Sequence, residues 1–521
     1  MALRLLAMAI LFFQPVQAQV TTSQYDNART GATLQEKILN PRNVNPKEFG
    51  KLFALHVDGD VYAQPLYLPN LAIPGAGVHD TVFAATEHDS VYAFDAAGKP
   101  AKPLWRVSFI DGRTGVTTVP VTSAGCPFIS PEVGITSTPV IDPHSGTLYV
   151  LARTKEKDAS GTDRFYQRLH ALDVLTGKEK FGGPVPIRGA VSSKGGGFLG
   201  LMAGPLEFLT LHENPRAALL LDRGRLFLTW GSSCDDPPYH GWVMAYDAHT
   251  LKQLGILNTS PDAADSGIWQ SDTGPAADEE GNVFTVTGNG VFNAASGGRD
   301  YGDSVLKIGL TGAGLAVKDY FTPFNQAALN RSDSDLGSGG PLLIPQQAGF
   351  KERLLVLGGK GAEIYVLDRD ALGKFHQYDN RNALQSIRVG GGIFGAPAYW
   401  NGHIYYLPSD DSLKDFALHG NRLSSEPAAI APASGHSSTT PAVSANGSKD
   451  GIVWVIETGR MAVLHAYDAS NIANELYDSR TFRDRDQAAS SLHFTIPTVA
   501  GGRVYVPAAG EVEVFGLLDT K

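Results

Sequence analysis

A proline that opens a short apolar strand recurs along most of the chain, and this recurrence limits the possible folds more than any other feature. Gln64-Pro65 leads into Leu66-Tyr67-Leu68, then Thr81 to Thr86, then Asp89 to Asp95 ahead of Gly98. Thr138-Pro139 repeats the cycle with Thr147 to Leu151 and Leu169 to Asp173 ahead of Gly177. Corresponding prolines at Pro215, Pro275, Pro341, Pro397, Pro441 and Pro497 complete eight units, spaced from 44 residues (Pro397 to Pro441) to 76 (Pro139 to Pro215). Segments such as Arg225 to Trp230 and Gly402 to Leu407 alternate with period two, whereas capped segments of helical period are nearly absent. One such unit cannot bury its own strands, but units repeated radially cover one another and protect their edges. The pattern predicts an all-β fold, an eight-bladed β-propeller of four-stranded antiparallel sheets. Two packed sandwiches would leave the eightfold similarity unexplained.

Two or three domains would be the default for 521 residues, but the repeat makes residues 51–521 a single propeller domain. Residues 19–50 have no clear period and read as an N-terminal arm. The last unit lacks an outer strand, which either the arm near Tyr25 or the strand from Lys51 to Val57 is placed to supply. Residues 1–18 carry Arg4, an apolar run from Leu5 to Phe13 and small residues at Val16 and Ala18, the pattern of an export signal cut before Gln19. The expected location is therefore periplasmic or secreted. No segment is apolar for long enough to span a membrane. A net charge of −10 gives no basic footprint for nucleic acid. The two cysteines, Cys126 and Cys234, do not make a disulfide framework, and without a C-x-x-C-H run no covalent c-type haem is expected. Zinc, dinucleotide and serine-hydrolase signatures are also missing.

The stretch from Trp269 to Asp335 sets a flat ring, an amide and a carboxylate pair on successive strand-to-loop corners: Trp269-Gln-Ser, Thr287-Gly-Asn289-Gly290, Tyr301-Gly-Asp-Ser304, Thr322-Pro323 and Ser332-Asp333-Ser-Asp335. Together with the run Gly359-Lys360-Gly361 to Arg369, these pieces resemble, in order, those of the quinoprotein alcohol dehydrogenases, eight-bladed propellers that use pyrroloquinoline quinone (PQQ) and calcium. The resemblance implies that Trp269 floors the quinone, Asn289 is an amide ligand of the metal, and Lys360 contacts the quinone. Asp333, or else Asp335, would be the base. A planar ring suits a planar cofactor, calcium accepts neutral and charged oxygens alike, and a carboxylate beside a cation stays ionised.

Two positions depart from the family. Asp235 and Asp236 stand where its calcium glutamate is expected, and either supplies an anionic oxygen on a shorter arm. Cys126, followed by Pro127, stands alone where the family has two adjacent cysteines over the quinone. Cys126 and Cys234 fall in matching loops of neighbouring units, so a bridge between them near the axis is expected.

What the resemblance implies is an exported enzyme that oxidises an alcohol or sugar and passes electrons to a separate acceptor such as a cytochrome. The alternative is a non-catalytic periplasmic propeller acting as a binding or assembly module. A carbohydrate hydrolase or lyase built on axial carboxylates is a third class.

Overall fold

Eight antiparallel sheets stand around one axis in a computed structural model that describes residues 18–195, 204–432 and 439–519. The predicted export signal lies outside the described residues apart from Ala18. Blade 1 runs outward through Leu66–Ile73, Gly77–Ala85, Ser90–Asp95 and Trp105–Ser108, and blades 2 to 7 repeat this path. Blade 8 takes Thr498–Ala500, Arg503–Ala508 and Glu511–Leu517 from the C-terminal end and its outer strand, Phe49–His56, from the N-terminal end. That strand pairs antiparallel from Phe49 opposite Leu517 to His56 opposite Glu511. Of the two candidates in the sequence, the segment around Lys51 to Val57 therefore closes the ring, and it begins two residues before the expected boundary at residue 51.

The packing explains why the strands are so rich in Val, Leu, Ile and aromatic residues. Each middle strand is covered on both faces by neighbouring blades: Phe83 and Tyr92 of blade 1 share a cluster with Leu148 and Val150 of blade 2 and Tyr505 and Val514 of blade 8. Each such side chain stabilises the ring by roughly 1.5–3 kcal/mol when fully buried. Short loops leave the inner ends of the blades to form the site.

One expectation needs correction. The innermost strand of blade 3 is Leu220–Asp222, so the position that opens this blade is Leu219, not Pro215. Leu219 can fill it because no rule demands the proline there: the proline lacks an N–H, whereas the Leu219 N–H finds the Thr138 carbonyl of blade 2.

The arm crosses the axis and bonds to every blade. Val20 pairs with Tyr67 of blade 1, and the Thr21 carbonyl accepts from Ile141 of blade 2. The Asn27 amide donates to the Leu221 carbonyl of blade 3, while the carbonyls of Asn27, Ala28, Thr30 and Gly31 accept from Ala277, Leu343, Tyr399 and Val443 of blades 4 to 7. Tyr25 Oη donates to the Pro497 carbonyl of blade 8 and accepts from the Val499 N–H. At the centre Arg29 is fully buried, giving hydrogen bonds to the carbonyls of Pro275 (2.9 Å), Ser23 (2.7 Å) and Leu219 (3.3 Å) and to Thr22 Oγ1 (2.8 Å). These bonds seal one end of the axis.

Candidate functional site

At the other end of the axis lies a cavity of about 560 Å³, lined by residues from blades 2, 3, 4, 5, 6 and 8. Its wall residues Ser271, Ser338, Phe394 and Phe494 precede the arm's partners Ala277, Leu343, Tyr399 and Val499 by five or six residues. The arm lies close beneath this floor, since Gln24 Oε1 accepts a hydrogen bond from Thr273 Oγ1, next to Asp272.

Of the sequence-predicted residues, Trp269, Asp235, Asp333, Asp335, Lys360 and Cys126 all line this cavity. Cys126 is joined to Cys234, with Cα atoms 5.3 Å apart, and the bridge ties the loop of blade 2 to that of blade 3 at the cavity wall. The expected pairing is therefore present. Asn289 stands just behind the wall, and its Nδ2 donates to Asp333 Oδ1 at 2.6 Å while its backbone N–H donates to Asp335 Oδ1 at 2.7 Å. Its own Oδ1 is buried without a partner. Asp236 does not join the group: its side chain is 57% exposed and lies 3.9 Å from His212 Nδ1.

Lys360 organises the acidic side of the cavity. Its ammonium lies 2.5 Å from Asp335 Oδ2 and 3.3 Å from Asp333 Oδ1, and its N–H donates to the Asp335 carbonyl. Burial alone would lower its pKa, but the carboxylates of Asp335 and then Asp333 outweigh burial and raise it. Asp335 is buried, whereas the Asp333 side chain is 68% exposed. Asp235 accepts a hydrogen bond from Tyr239 Oη at 2.8 Å, and partial burial, then the charges of Asp335 and Asp333, push its carboxyl upward.

The local backbone allows this crowding. Gly288 is required where it stands, because a side chain there would collide with Asp335 Oδ1 and come within 2.9 Å of the Trp269 ring. Gly231 and Gly267 lie behind the same indole, which meets Tyr239 edge-on at 6.4 Å between centroids. Cys234, Asp235, Gln270, Asp272, Asp303 and Asp333 all have left-handed backbones, with φ from 39° to 57°. Aspartate tolerates this region better than most residues, and such outliers cluster where a chain positions chemistry rather than packing.

Several site residues escaped the sequence reading. Asp303, fully buried, accepts from the Leu336 N–H at 3.1 Å and from Gln326 Nε2 at 3.3 Å, and burial pushes its carboxyl up to about 8. Gln326 comes from the short helix Gln326–Arg331, formed by the insertion after Pro323. The floor follows a simpler rule. The residues three places before the blade-opening position are Tyr62, Thr136, Arg216, Asp272, Ser338, Phe394 and Phe494, and each lines the cavity or the water-sized void beneath it. The blade 7 member of this ring lies outside the described residues.

Histidines that looked scattered in the sequence also meet other groups. His465 bridges Glu457 (2.9 Å) and Glu475 (2.7 Å) on blade 7, with Asp478 beside them and held by Arg480. These opposed charges satisfy one another.

No family model matches the chain, and no curated protein does. Solved structures do. The quinohemoprotein alcohol dehydrogenase ADHIIG of Pseudomonas putida HK5 superposes with a TM-score of 0.62 at 14% identity, over 96% of this chain and 81% of that one. The fold is an eight-bladed propeller like that of these dehydrogenases. A europium-containing methanol dehydrogenase gives 0.60 at 12% identity, over 96% of this chain and 98% of that one. BamB from Moraxella catarrhalis gives 0.51 at 13%, over 90% and 99%. Identities this low report on the fold, and function has to be argued from the site.

The residues present fit a planar quinone and an oxygen-bound divalent ion. A half-buried indole backed by glycines faces the cavity, an ammonium stands across from it, and the buried, unpartnered Asn289 Oδ1 is an acceptor with nothing to accept.

Proposed function

We propose that the protein is an exported oxidoreductase that binds PQQ and calcium in this cavity, oxidises an alcohol or sugar, and passes electrons to a separate acceptor such as a cytochrome. The observation that carries this reading is the meeting of Trp269, Asn289, Asp333, Asp335 and Lys360 around one cavity, although they come from four separate loops. Trp269 would floor the quinone and Lys360 would face its oxygens, with Cys126 in the wall beside it. Asn289 Oδ1 and Asp235 would hold the metal. The chemistry that such a cofactor supplies is two-electron acceptance from the carbinol carbon.

The rest falls to the chain itself. Asp335 is the better placed base. Its carboxylate is fixed by the Asn289 N–H and by Lys360, whereas Asp333 is mostly in solvent. Held in this way, Asp335 keeps the orientation needed to take the hydroxyl proton of a substrate. Asp333 holds Asn289 Nδ2, which turns Oδ1 away from itself. The buried Ile129 and Val133 give the cavity an apolar wall on the side of blade 2.

One observation favours a binding module without redox chemistry: with Asp236 turned to His212, Asp235 is left as the only one of that pair at the cavity. Titrating the purified protein with PQQ and Ca²⁺, while assaying dye reduction with alcohols and aldoses, separates the two. The enzyme reading requires a saturable spectral change and turnover, and the absence of both would end it.

A further inference from the structure

The floor of the cavity holds a cation with no carboxylate in ion-pair contact among the described residues. Arg216 extends from blade 3 across the axis until its guanidinium lies 4.7 Å from the ring centroid of Phe494, on blade 8. Its Nε donates to Ser271 Oγ at 3.3 Å, and its two terminal nitrogens have no acceptor and no ion-pair partner among the described residues. The fully buried arginines, by contrast, give their terminal nitrogens to the protein: Arg29 to the arm and blade 3, Arg153 to Asn214 Oδ1 and the Leu211 carbonyl, and Arg369 to Glu279. Arg216 is only half-buried, so its terminal nitrogens open into the cavity, where the guanidinium fork presents its remaining donors to a ligand.

We propose that Arg216 is the anion anchor of the cavity, a guanidinium on the axis that takes a carboxylate of a bound aromatic ligand. The planar fork matches the two oxygens of a carboxylate, and the apolar surroundings strengthen the pair. The aromatic character follows from the walls. Phe394 and Phe494 face one another with centroids 6.0 Å apart and planes 31° apart, and Trp269 and Phe128 line the same cavity. Burial pushes the nearby acids Glu87 and Asp272 up to about 7, and neither makes an ion pair with Arg216. His493, also on the floor, is pushed below its usual range by burial and by Arg216, which leaves the arginine as the floor's charge.

This inference deepens the quinone reading, because PQQ is a planar aromatic tricarboxylate, but it does not depend on redox chemistry. The test compares wild-type protein with Arg216→Gln and Arg216→Lys, using calorimetric titration with PQQ and with its trimethyl ester. Wild type should bind the acid tighter than the ester by on the order of ten- to a hundredfold. Arg216→Gln should lose that preference, and Arg216→Lys, which keeps the charge without the fork, should fall between. An equal affinity of wild type for acid and ester, or a preference that survives in Arg216→Gln, would overturn the proposal. The acid and ester comparison on wild type does not rely on any variant folding. If wild type binds neither quinone, the quinone reading fails, and naphthalene-2-carboxylate against its carboxamide decides the matter for Arg216 alone. A carboxylate preference lost in Arg216→Gln supports the anchor. Absence of binding to both probes, or a preference independent of Arg216, removes it.

Discussion

The two ends of the propeller axis are built from the same eight innermost strands, yet they treat their polar groups in opposite ways. At the arm end Arg29 spends its guanidinium on three carbonyls and a hydroxyl, and successive arm residues bond to blade after blade. At the cavity end Asn289 Oδ1 and Trp269 Nε1 are buried without partners, and Arg216 has a single hydrogen bond. Since an unmade bond on a buried polar group costs about 1–3 kcal/mol, the end with more of its bonds made contributes more to holding the ring together. One arginine belongs to the fold and the other to the site, although they lie on the same axis.

The largest effect expected is on chemistry. In the proposed oxidation, Asp335→Asn should lower turnover by roughly 10²–10⁴-fold, and Asp333→Asn should lower it by less than about tenfold. Dye-reduction assays on the two variants would reverse the assignment of the base if the order came out the other way. Next comes stability at the saturated end. Arg29→Met leaves several buried acceptors empty and should cost about 3 kcal/mol or more in urea unfolding, whereas Arg216→Gln should stay within about 1 kcal/mol of wild type. Equal losses would erase the contrast between the two ends.

Removing the Cys126–Cys234 bridge by the double change to serine opens a loop of 108 residues between blades 2 and 3 and should cost about 2–4 kcal/mol. The smallest effect concerns pH. Burial raises the Asp272 carboxyl from 3.8 to about 7 and the Glu87 carboxyl from 4.5 to about 7. Between about pH 4 and pH 7 the folded chain therefore keeps protons that the unfolded chain has released, and stability falls as pH rises through that window. Asp272→Asn should make the decline shallower when urea midpoints are measured from pH 5 to pH 8, and an unchanged slope would put the titration elsewhere.

Most of the ring could be read in the sequence because its cause is local: a proline, a strand of period two and a turn, repeated. Blade 3 was misread by four residues because Leu219 replaces the proline and Pro215 happened to stand nearby. The acidic side of the site was legible for the same local reason, since Asn289, Asp333 and Asp335 sit in short recognisable corners. The base was less so, because Asp333 and Asp335 differ only in burial. Arg216, Phe394 and Phe494 were missed although the signal was present: counting three residues back from each blade-opening position gathers the floor of the cavity from segments hundreds of residues apart. That count requires the correct register in every blade, and the one misplaced proline hid the arginine.

Residues 20–31 take amides and carbonyls from all eight blades, so this segment is made before any of the partners that hold it. It has no seat until blade 8 exists, and Phe49–His56 must likewise wait for Glu511–Leu517. Ring closure is therefore the final long-range event of folding, joining contacts more than 400 residues apart, as between Tyr25 and Val499. Chains with such distant contacts fold slowly, and every incomplete ring exposes unpaired strand edges in the meantime.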